Sequence, residues 1–275
     1  MSQQTIYITG AASGIGQELA CRYAKLGANL ALFDLAFSGQ AKSKIEAQRV
    51  HDAQSFSYFS ADVTDLKGLV DEASKAAAQV GLPDLAIHCA GIQKAGVFED
   101  VSSAEFERVV SVNLFGTRNF AQACIPLLKK NTAPTKLVFV ASMAGLVGTY
   151  AYASYNASKF GVVGLAQALR MELAPAGVSV QVICPPEVDT PMVHEEHKTI
   201  NPVTLKLKLM AGTLTLDKAI DDIMKGLTTR RFYIIPGRQA RLTYWASRLV
   251  PIAITNAFVD RIIRNTLIRT KAPCK

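Results

Sequence analysis

Short runs of apolar and β-branched residues recur along the chain, at 5–9, 29–34, 55–60, 84–88, 135–141, 178–183 and 232–235. Between them apolar residues return with a helical period, predicting helices near 15–26, 39–51, 65–80, 102–129, 153–174 and 217–228. Gly27 after the first helix, Gly81-Leu82-Pro83 before the fourth strand and Gly177 before the sixth mark the boundaries. Strands alternating with helices of this length require right-handed crossovers. The expected fold is therefore α/β, a doubly wound parallel sheet (Rossmann fold) of about seven strands with helices on both faces. The rhythm breaks from Pro185 to Thr215, a stretch rich in Pro, Thr, Glu, His and Lys. Ligands of such sheets bind beyond the carboxyl ends of the strands. The irregular segment at about 188–215 is accordingly expected to be a substrate lid, the other reading being a plain surface loop. The pattern divides the chain into a sheet-based catalytic domain, 1–237, and a basic, apolar C-terminal helical extension, 238–275.

Composition narrows the class. With 49% hydrophobic and 19% charged residues, the 275-residue chain is neither disordered, nor a coiled coil, nor a disulfide-knitted miniprotein. Cysteines at 21, 89, 124, 184 and 274 are odd in number and contain no C-x-x-C pair. That spacing gives no zinc signature, no metal site is expected, and the thiols read as reduced and cytoplasmic. Met1-Ser2-Gln3-Gln4 runs directly into an apolar strand, without the charged and apolar regions of a secretory signal. The longest uncharged apolar candidate, Leu249 to Val259, contains Pro251, Thr255 and Asn256 and is too short to cross a bilayer.

The net charge of +8 is unevenly placed. Eleven of the thirty Lys and Arg residues lie from Lys225 onward against a single acid, Asp260, so this segment carries +10 and the remainder −2. The extension interleaves Leu242, Tyr244, Trp245, Leu249, Ile252, Ile254, Phe258, Ile262, Ile263 and Leu267 with Arg241, Arg248, Arg261, Arg264 and Arg269. Two readings stand side by side. One is a helix lying at a membrane surface, its arginines on anionic headgroups. The other is a helical pair packed on the body or on a dimer partner. No recognition motif accompanies the charge, so nucleic acid is not an expected partner.

Candidate chemistry begins at Gly10-Ala11-Ala12-Ser13-Gly14-Ile15-Gly16, between the first strand and the first helix. Glycines there permit a tight turn and close approach of backbone N–H groups to a pyrophosphate, which the positive helix end favours. Asp34 ends the second strand 18 residues after Gly16, where a carboxylate accepts hydrogen bonds from an adenosine ribose. Because Asp34 repels a 2′-phosphate, and no Lys or Arg follows until Lys42, NAD is expected over NADP. Its bland alternative is an acid capping the next helix. Asp62 and Val63, after the third strand, are candidate adenine contacts. Tyr155 and Lys159 lie four positions apart, on one helix face. A cation beside a phenol favours phenolate, so Lys159 is expected to lower the Tyr155 pKa from about 10 toward neutrality. Tyr150 and Tyr152 lack such a partner at the same spacing. Ser142, at the end of the fifth strand, is placed to donate to a substrate carbonyl.

These pieces together resemble the short-chain dehydrogenase/reductase family over nearly all of residues 5–237. The resemblance rests on Thr9-Gly10-Ala11-Ala12-Ser13-Gly14-Ile15-Gly16, Cys89-Ala90-Gly91, Asn113 in Val112-Asn113-Leu114, Ser142, Tyr155 with Lys159, and Pro185-Pro186-Glu187-Val188-Asp189-Thr190-Pro191. It implies that Tyr155 is the general acid/base, that Lys159 tunes it and holds the nicotinamide ribose, and that Ser142 polarises the carbonyl. Asn113 would support a water-linked proton relay to Lys159. Val188 and Thr190, following Pro185, would hold the nicotinamide carboxamide. Where the family often has Asn-Asn-Ala-Gly, this chain has His88-Cys89-Ala90-Gly91, which leaves the support of that cofactor loop open. Family membership implies a homodimer or homotetramer. The activity implied is NAD(H)-dependent interconversion of a secondary alcohol and a ketone. Pro185 to Pro191, Glu195-Glu196 and the apolar–basic extension further resemble the 3-ketodihydrosphingosine reductase branch, whose reductive use of NADPH conflicts with Asp34. That resemblance contributes the expectation of a bulky, hydrophobic, lipid-like substrate, with the branch's own activity as the alternative. A dinucleotide sensor without catalysis is the remaining reading, and it has no need of Ser142, Tyr155 and Lys159.

Overall fold

The computed structural model describes residues 3–271. Its first half runs β1 (Thr5–Thr9), α1 (Gly14–Lys25), β2 (Asn29–Asp34), α2 (Gly39–Glu46), β3 (Phe56–Ser60), α3 (Leu66–Gln79), β4 (Leu85–His88), α4 (Ser103–Val110) and α5 (Gly116–Lys130). The second half runs β5 (Thr135–Val140), α6 (Ala153–Leu173), β6 (Val178–Ile183), β7 (Glu187–Val188), α7 (Pro191–His197), α8 (Pro202–Ala211), β8 (Thr213–Leu214), α9 (Leu216–Leu227), β9 (Tyr233–Ile234), α10 (Arg238–Leu249) and α11 (Ile252–Lys271). Seven parallel strands form one sheet in the order β3-β2-β1-β4-β5-β6-β9, and β7 pairs with β8 beside it.

Alternation along the strands explains why both faces are covered. Ile6, Ile8, Leu30 and Leu32 turn to the layer of α1 and α9, whereas Tyr7, Ala31 and Phe33 turn to the layer that includes α3, α5 and α6. With both strand faces buried, the runs read as nearly continuous apolar segments. The direction of strand order reverses between β1 and β4, which opens a crevice at their carboxyl ends.

Three expectations change. The second helix stops at Glu46 instead of reaching residue 51, because the buried Gln54 carboxamide accepts from the Val50 and His51 N–H groups and diverts the backbone. The single helix expected over 102–129 is interrupted by a π-helical turn at Ser111–Phe115. The segment 188–215, expected to be an irregular lid, is mostly helical. Pro191 and Pro202 occupy first-turn positions of α7 and α8, where a missing N–H costs nothing, so here proline starts helices. The extension forms two helices because Val250 takes extended backbone ahead of Pro251. Cys21, Cys89, Cys124 and Cys184 are free thiols, and Cys274 lies outside the described residues.

Candidate active site

A cavity of about 820 Å³ opens at the carboxyl ends of the strands. Its floor is the β1–α1 turn. Gly10 and Gly14 have φ of +64° and +54°, a region that L side chains avoid. A Cβ on Gly16 would lie 2.1 Å from the Gly10 carbonyl oxygen, so the turn closes only around glycine. Ser13 precedes α1 with extended backbone, leaving the first helical N–H groups directed at the cavity.

Asp34 reaches the same cavity. Its carboxylate accepts from the N–H groups of Ala12, at 2.9 Å, and Leu35, at 2.8 Å. Capping of α2 falls to Ser38, which removes the capping alternative for Asp34. Each Asp34 oxygen keeps lone-pair capacity for a further donor. Asp62 accepts from the Thr64 N–H and hydroxyl, and Val63 is fixed by its carbonyl accepting from Asn119 at 2.8 Å. Both line the cavity, with the exposed Leu35 beside them. Asp34 and Asp62 thus put two carboxylates on the cavity lining.

The loop after β4 is held by Thr9. The Thr9 Oγ1 accepts from the Cys89 N–H at 3.1 Å and the Ala90 N–H at 3.3 Å, and pairs with His88 Nδ1 at 2.8 Å. Support expected from a second Asn thus comes from a threonine hydroxyl one strand away. Burial, reinforced by the Lys159 charge, lowers the His88 pKa to about 3, so the imidazole is neutral. Gly91 is required to be small, since a Cβ there would stand 3.1 Å from Asn113 Oδ1 and 3.5 Å from Lys159 Nζ.

The opposite wall holds Ser142, Tyr155 and Lys159 together, with Asn113 behind it. Ser142 follows β5, and its hydroxyl accepts from the Ala144 N–H at 3.1 Å. Tyr155 and Lys159 rise from the first turns of α6. Asn113, on the π-helical turn, accepts from the Ile92 N–H at 2.8 Å and donates to the Ile92 carbonyl at 2.9 Å and the Ser158 hydroxyl at 3.0 Å. Pro185, Val188 and Thr190 complete the cavity above these groups.

One expectation about this wall is overturned. Lys159 does not lower the Tyr155 pKa here. Burial raises it to about 12, a push that Glu196 adds to and that a hydrogen bond with Ser142 only partly opposes. The Lys159 ammonium lies 5.6 Å from the tyrosine ring centre and donates to the Val140 carbonyl at 3.0 Å. Desolvation in turn lowers the Lys159 pKa to about 8. At neutral pH the phenol is protonated and the ammonium charged. A Lys whose folded pKa lies below its unfolded value of about 10.4 costs stability while it is charged in the fold. Lys159→Met is therefore expected to raise the melting temperature at pH 7. That gain should shrink as pH climbs from 8 toward 10.4, where the unfolded lysine also loses its charge. Thermal melts across that range check it, and an unchanged or lowered melting temperature at pH 7 would refute it.

The sequence concealed a second layer of the site. Tyr152, without a partner at helical spacing, is buried beside Tyr155, with ring centres 5.5 Å apart. Its hydroxyl donates to Glu196 and accepts from the Gln93 amide at 2.5 Å. Lys208 of α8 bridges Glu196, at 2.6 Å, and Glu187 of β7, at 2.5 Å, while His197 and Thr213 bond Glu187 at 3.0 Å. The helices α7 and α8 are thereby joined to the tyrosine wall. Ala151, the one non-glycine residue at positive φ among those described, forms the turn that places Tyr152.

Comparison with known proteins places these observations in a wider set. A family model described as short chain dehydrogenase matches residues 4–201. A 3-ketodihydrosphingosine reductase of Mus musculus is 35% identical over 216 residues, which are 78% of this chain and 64% of that protein. The chain thus spans less than two thirds of that relative's length. A short chain dehydrogenase/reductase of Burkholderia phymatum, solved with NAD, has a TM-score of 0.77 at 25% identity, covering 90% of this chain and 93% of that one. One from Burkholderia cenocepacia, solved with NADP, has a TM-score of 0.74 at 21% identity, covering 94% and 97%.

Proposed function

The chain belongs to the short-chain dehydrogenase family, and from that premise we propose that it is an NAD(H)-dependent oxidoreductase interconverting a secondary alcohol and a ketone on a bulky, lipid-like substrate. The observation that carries this reading is the meeting, in one cavity, of the glycine turn with Ser142, Tyr155 and Lys159. The residues present suit a dinucleotide: a turn that admits no Cβ, helix N–H groups for a pyrophosphate, and Asp34 with spare acceptor capacity for a ribose. When bound, the nicotinamide supplies hydride acceptance or donation at its C4.

The chain's own groups would then position the substrate and manage the proton. Ser142 donates to the substrate oxygen. Tyr155 takes the hydroxyl proton during oxidation or gives it to the forming alkoxide during reduction. Lys159 holds a ribose hydroxyl, and Asn113 keeps the Ile92 backbone in place beside it. Gly10, Ser13, Gly14, Ile15 and Gly16 hold the pyrophosphate, while Asp62, Val63, Cys89, Ala90 and Gly91 border the adenosine and ribose path. Pro185, Val188 and Thr190 border the nicotinamide. The reading includes a homodimer or homotetramer in the cytoplasm, associated with a membrane surface. Among the described residues no helix is long and apolar enough to cross one.

A second reading, an NADPH-dependent 3-ketodihydrosphingosine reductase-like activity, is supported by the name of the 35%-identical relative. A screen of long-chain alcohols and ketones with both dinucleotides decides between the readings, and turnover with neither sinks both. Asp34→Ala is expected to narrow the NAD-over-NADP preference by roughly tenfold, the scale of one like-charge contact in a wet site. An unchanged ratio in paired kcat/KM measurements would place Asp34 away from the ribose.

A further inference from the structure

The two C-terminal helices present different chemistry on their two sides. Inward, Ala240 is buried, and Thr243, Ala246 and Ser247 of α10 join Thr255 and Val259 of α11 in the wall of the substrate cavity. Gln239 donates to the Leu209 and Met210 carbonyls, and the Thr243 hydroxyl donates to the Met210 carbonyl, fastening α10 to the end of the lid helix α8. Outward, large apolar side chains stand in water. Leu242, Trp245 and Leu249 follow one face of α10, and Ile254 and Phe258 one face of α11. Trp245 is 56% and Leu249 76% exposed. Arg241 and Arg248 flank the first row and Arg261 and Arg264 continue the second, all exposed. Arg248, Arg261 and Arg264 enter no ion pair among the described residues. Phe258 is both exposed and part of the cavity lining, so the apolar face continues to the cavity mouth.

We propose that this face of α10 and α11 docks on a bilayer carrying anionic lipid and sets the cavity mouth against the membrane surface. Exposed apolar rows carrying a tryptophan and edged by exposed arginines, of which Arg248, Arg261 and Arg264 enter no ion pair among the described residues, match what such an interface requires: an apolar layer for the side chains and negative headgroups for the guanidinium groups. The +10 charge from Lys225 onward, against −2 on the rest of the chain, orients the molecule toward that surface. Docking itself stands on these side chains. Delivery of a lipid-like substrate through the mouth rests on the oxidoreductase reading above.

Trp245 is the only tryptophan in the chain and reports directly on the face. The full-length protein is mixed with vesicles of phosphatidylcholine alone or with phosphatidylglycerol added, and is followed by Trp emission and co-sedimentation. Anionic vesicles are expected to shift the emission to the blue and to carry the protein down, and added salt to reverse both. Arg248→Gln with Arg261→Gln should weaken partitioning roughly 25-fold, about fivefold for each charge near the surface. The same variant should turn over a water-soluble short-chain ketone normally and lose activity toward a long-chain ketone held in vesicles. Unchanged emission and no sedimentation of the wild-type protein with anionic vesicles would overturn docking. A blue shift that follows protein concentration without vesicles would overturn it too, in favour of self-association. Equal loss on both ketones would overturn substrate delivery. Absence of all turnover would strike the oxidoreductase reading while leaving the fluorescence result intact.

Discussion

Tyr155→Phe is expected to lower turnover by roughly two to four orders of magnitude while leaving dinucleotide binding in place. The substitution removes one hydroxyl from the cavity wall. It keeps the ring that packs against Tyr152, at 5.5 Å between centres, and it strands only the Ser142 hydroxyl, which also accepts from the Ala144 N–H. Folding is thus largely spared, and the glycine turn and Asp34 are untouched. What disappears is the single group at the wall able both to give a proton to a forming alkoxide and to take one from an alcohol. Lys159 does not take over this role in the proposed site, where its ammonium donates to the Val140 carbonyl and serves the ribose instead of the substrate oxygen. Parallel measurement of kcat and of dinucleotide affinity checks the separation. Near-normal kcat would sink the assignment of Tyr155.

The largest stability effect is expected at Lys208, a residue that makes none of the proposed chemical contacts. Its side chain is 11% exposed and neutralises two carboxylates, Glu187 and Glu196, whose side chains are 2% and 5% exposed. Burial pushes the Glu187 pKa up, but the hydrogen bonds from Lys208 and His197 outweigh it and hold the group below the usual carboxylate range. Lys208→Met keeps most of the volume and removes the charge. Two buried acids then share no lysine, and the fold is expected to lose about 3–5 kcal/mol. The sign with pH follows from the depressed pKa. The stabilisation Glu187 contributes is present above its unfolded value of about 4.3 and is lost as pH falls through the folded value. The gap between wild type and Lys208→Met should therefore be widest near pH 7 and narrow below about pH 4. Denaturant unfolding at both pH values tests this, and equal stabilities at pH 7 would show that the cluster is not held by Lys208.

These two residues mark where the sequence was readable and where it was not. Tyr155 belongs to a local pattern, four positions from Lys159 on one helix, and helical geometry alone puts both on one face. The glycine turn is local in the same way, since strand, glycines and helix follow one another directly. Lys208 meets Glu187, Glu196 and Tyr152 from separate segments of the chain, and no periodicity connects them. Local spacing even misled at Tyr152, whose i+4 neighbour is irrelevant once Glu196 and Gln93 arrive from elsewhere. The same limit explains the Tyr155 pKa. Proximity of a cation is legible in a sequence, but desolvation depends on everything packed around the phenol, and here desolvation is the larger effect.

By itself the sequence determined the strand and helix order, the parallel doubly wound sheet, and the set of glycine, serine, tyrosine and lysine residues on which the proposed chemistry rests. Those features rest on steric rules and side-chain periods acting over a few residues. Only the tertiary structure decided that the segment 188–215 is helical and tied down by a buried Glu187–Lys208–Glu196 bridge, and that Thr9 supports the loop after β4. It alone decided that burial pushes the pKa of the Tyr155 phenol up and that the basic extension walls the cavity on one side while exposing apolar rows on the other. Burial and long-range pairing set these outcomes, and both are properties of the packed chain, not of any segment within it.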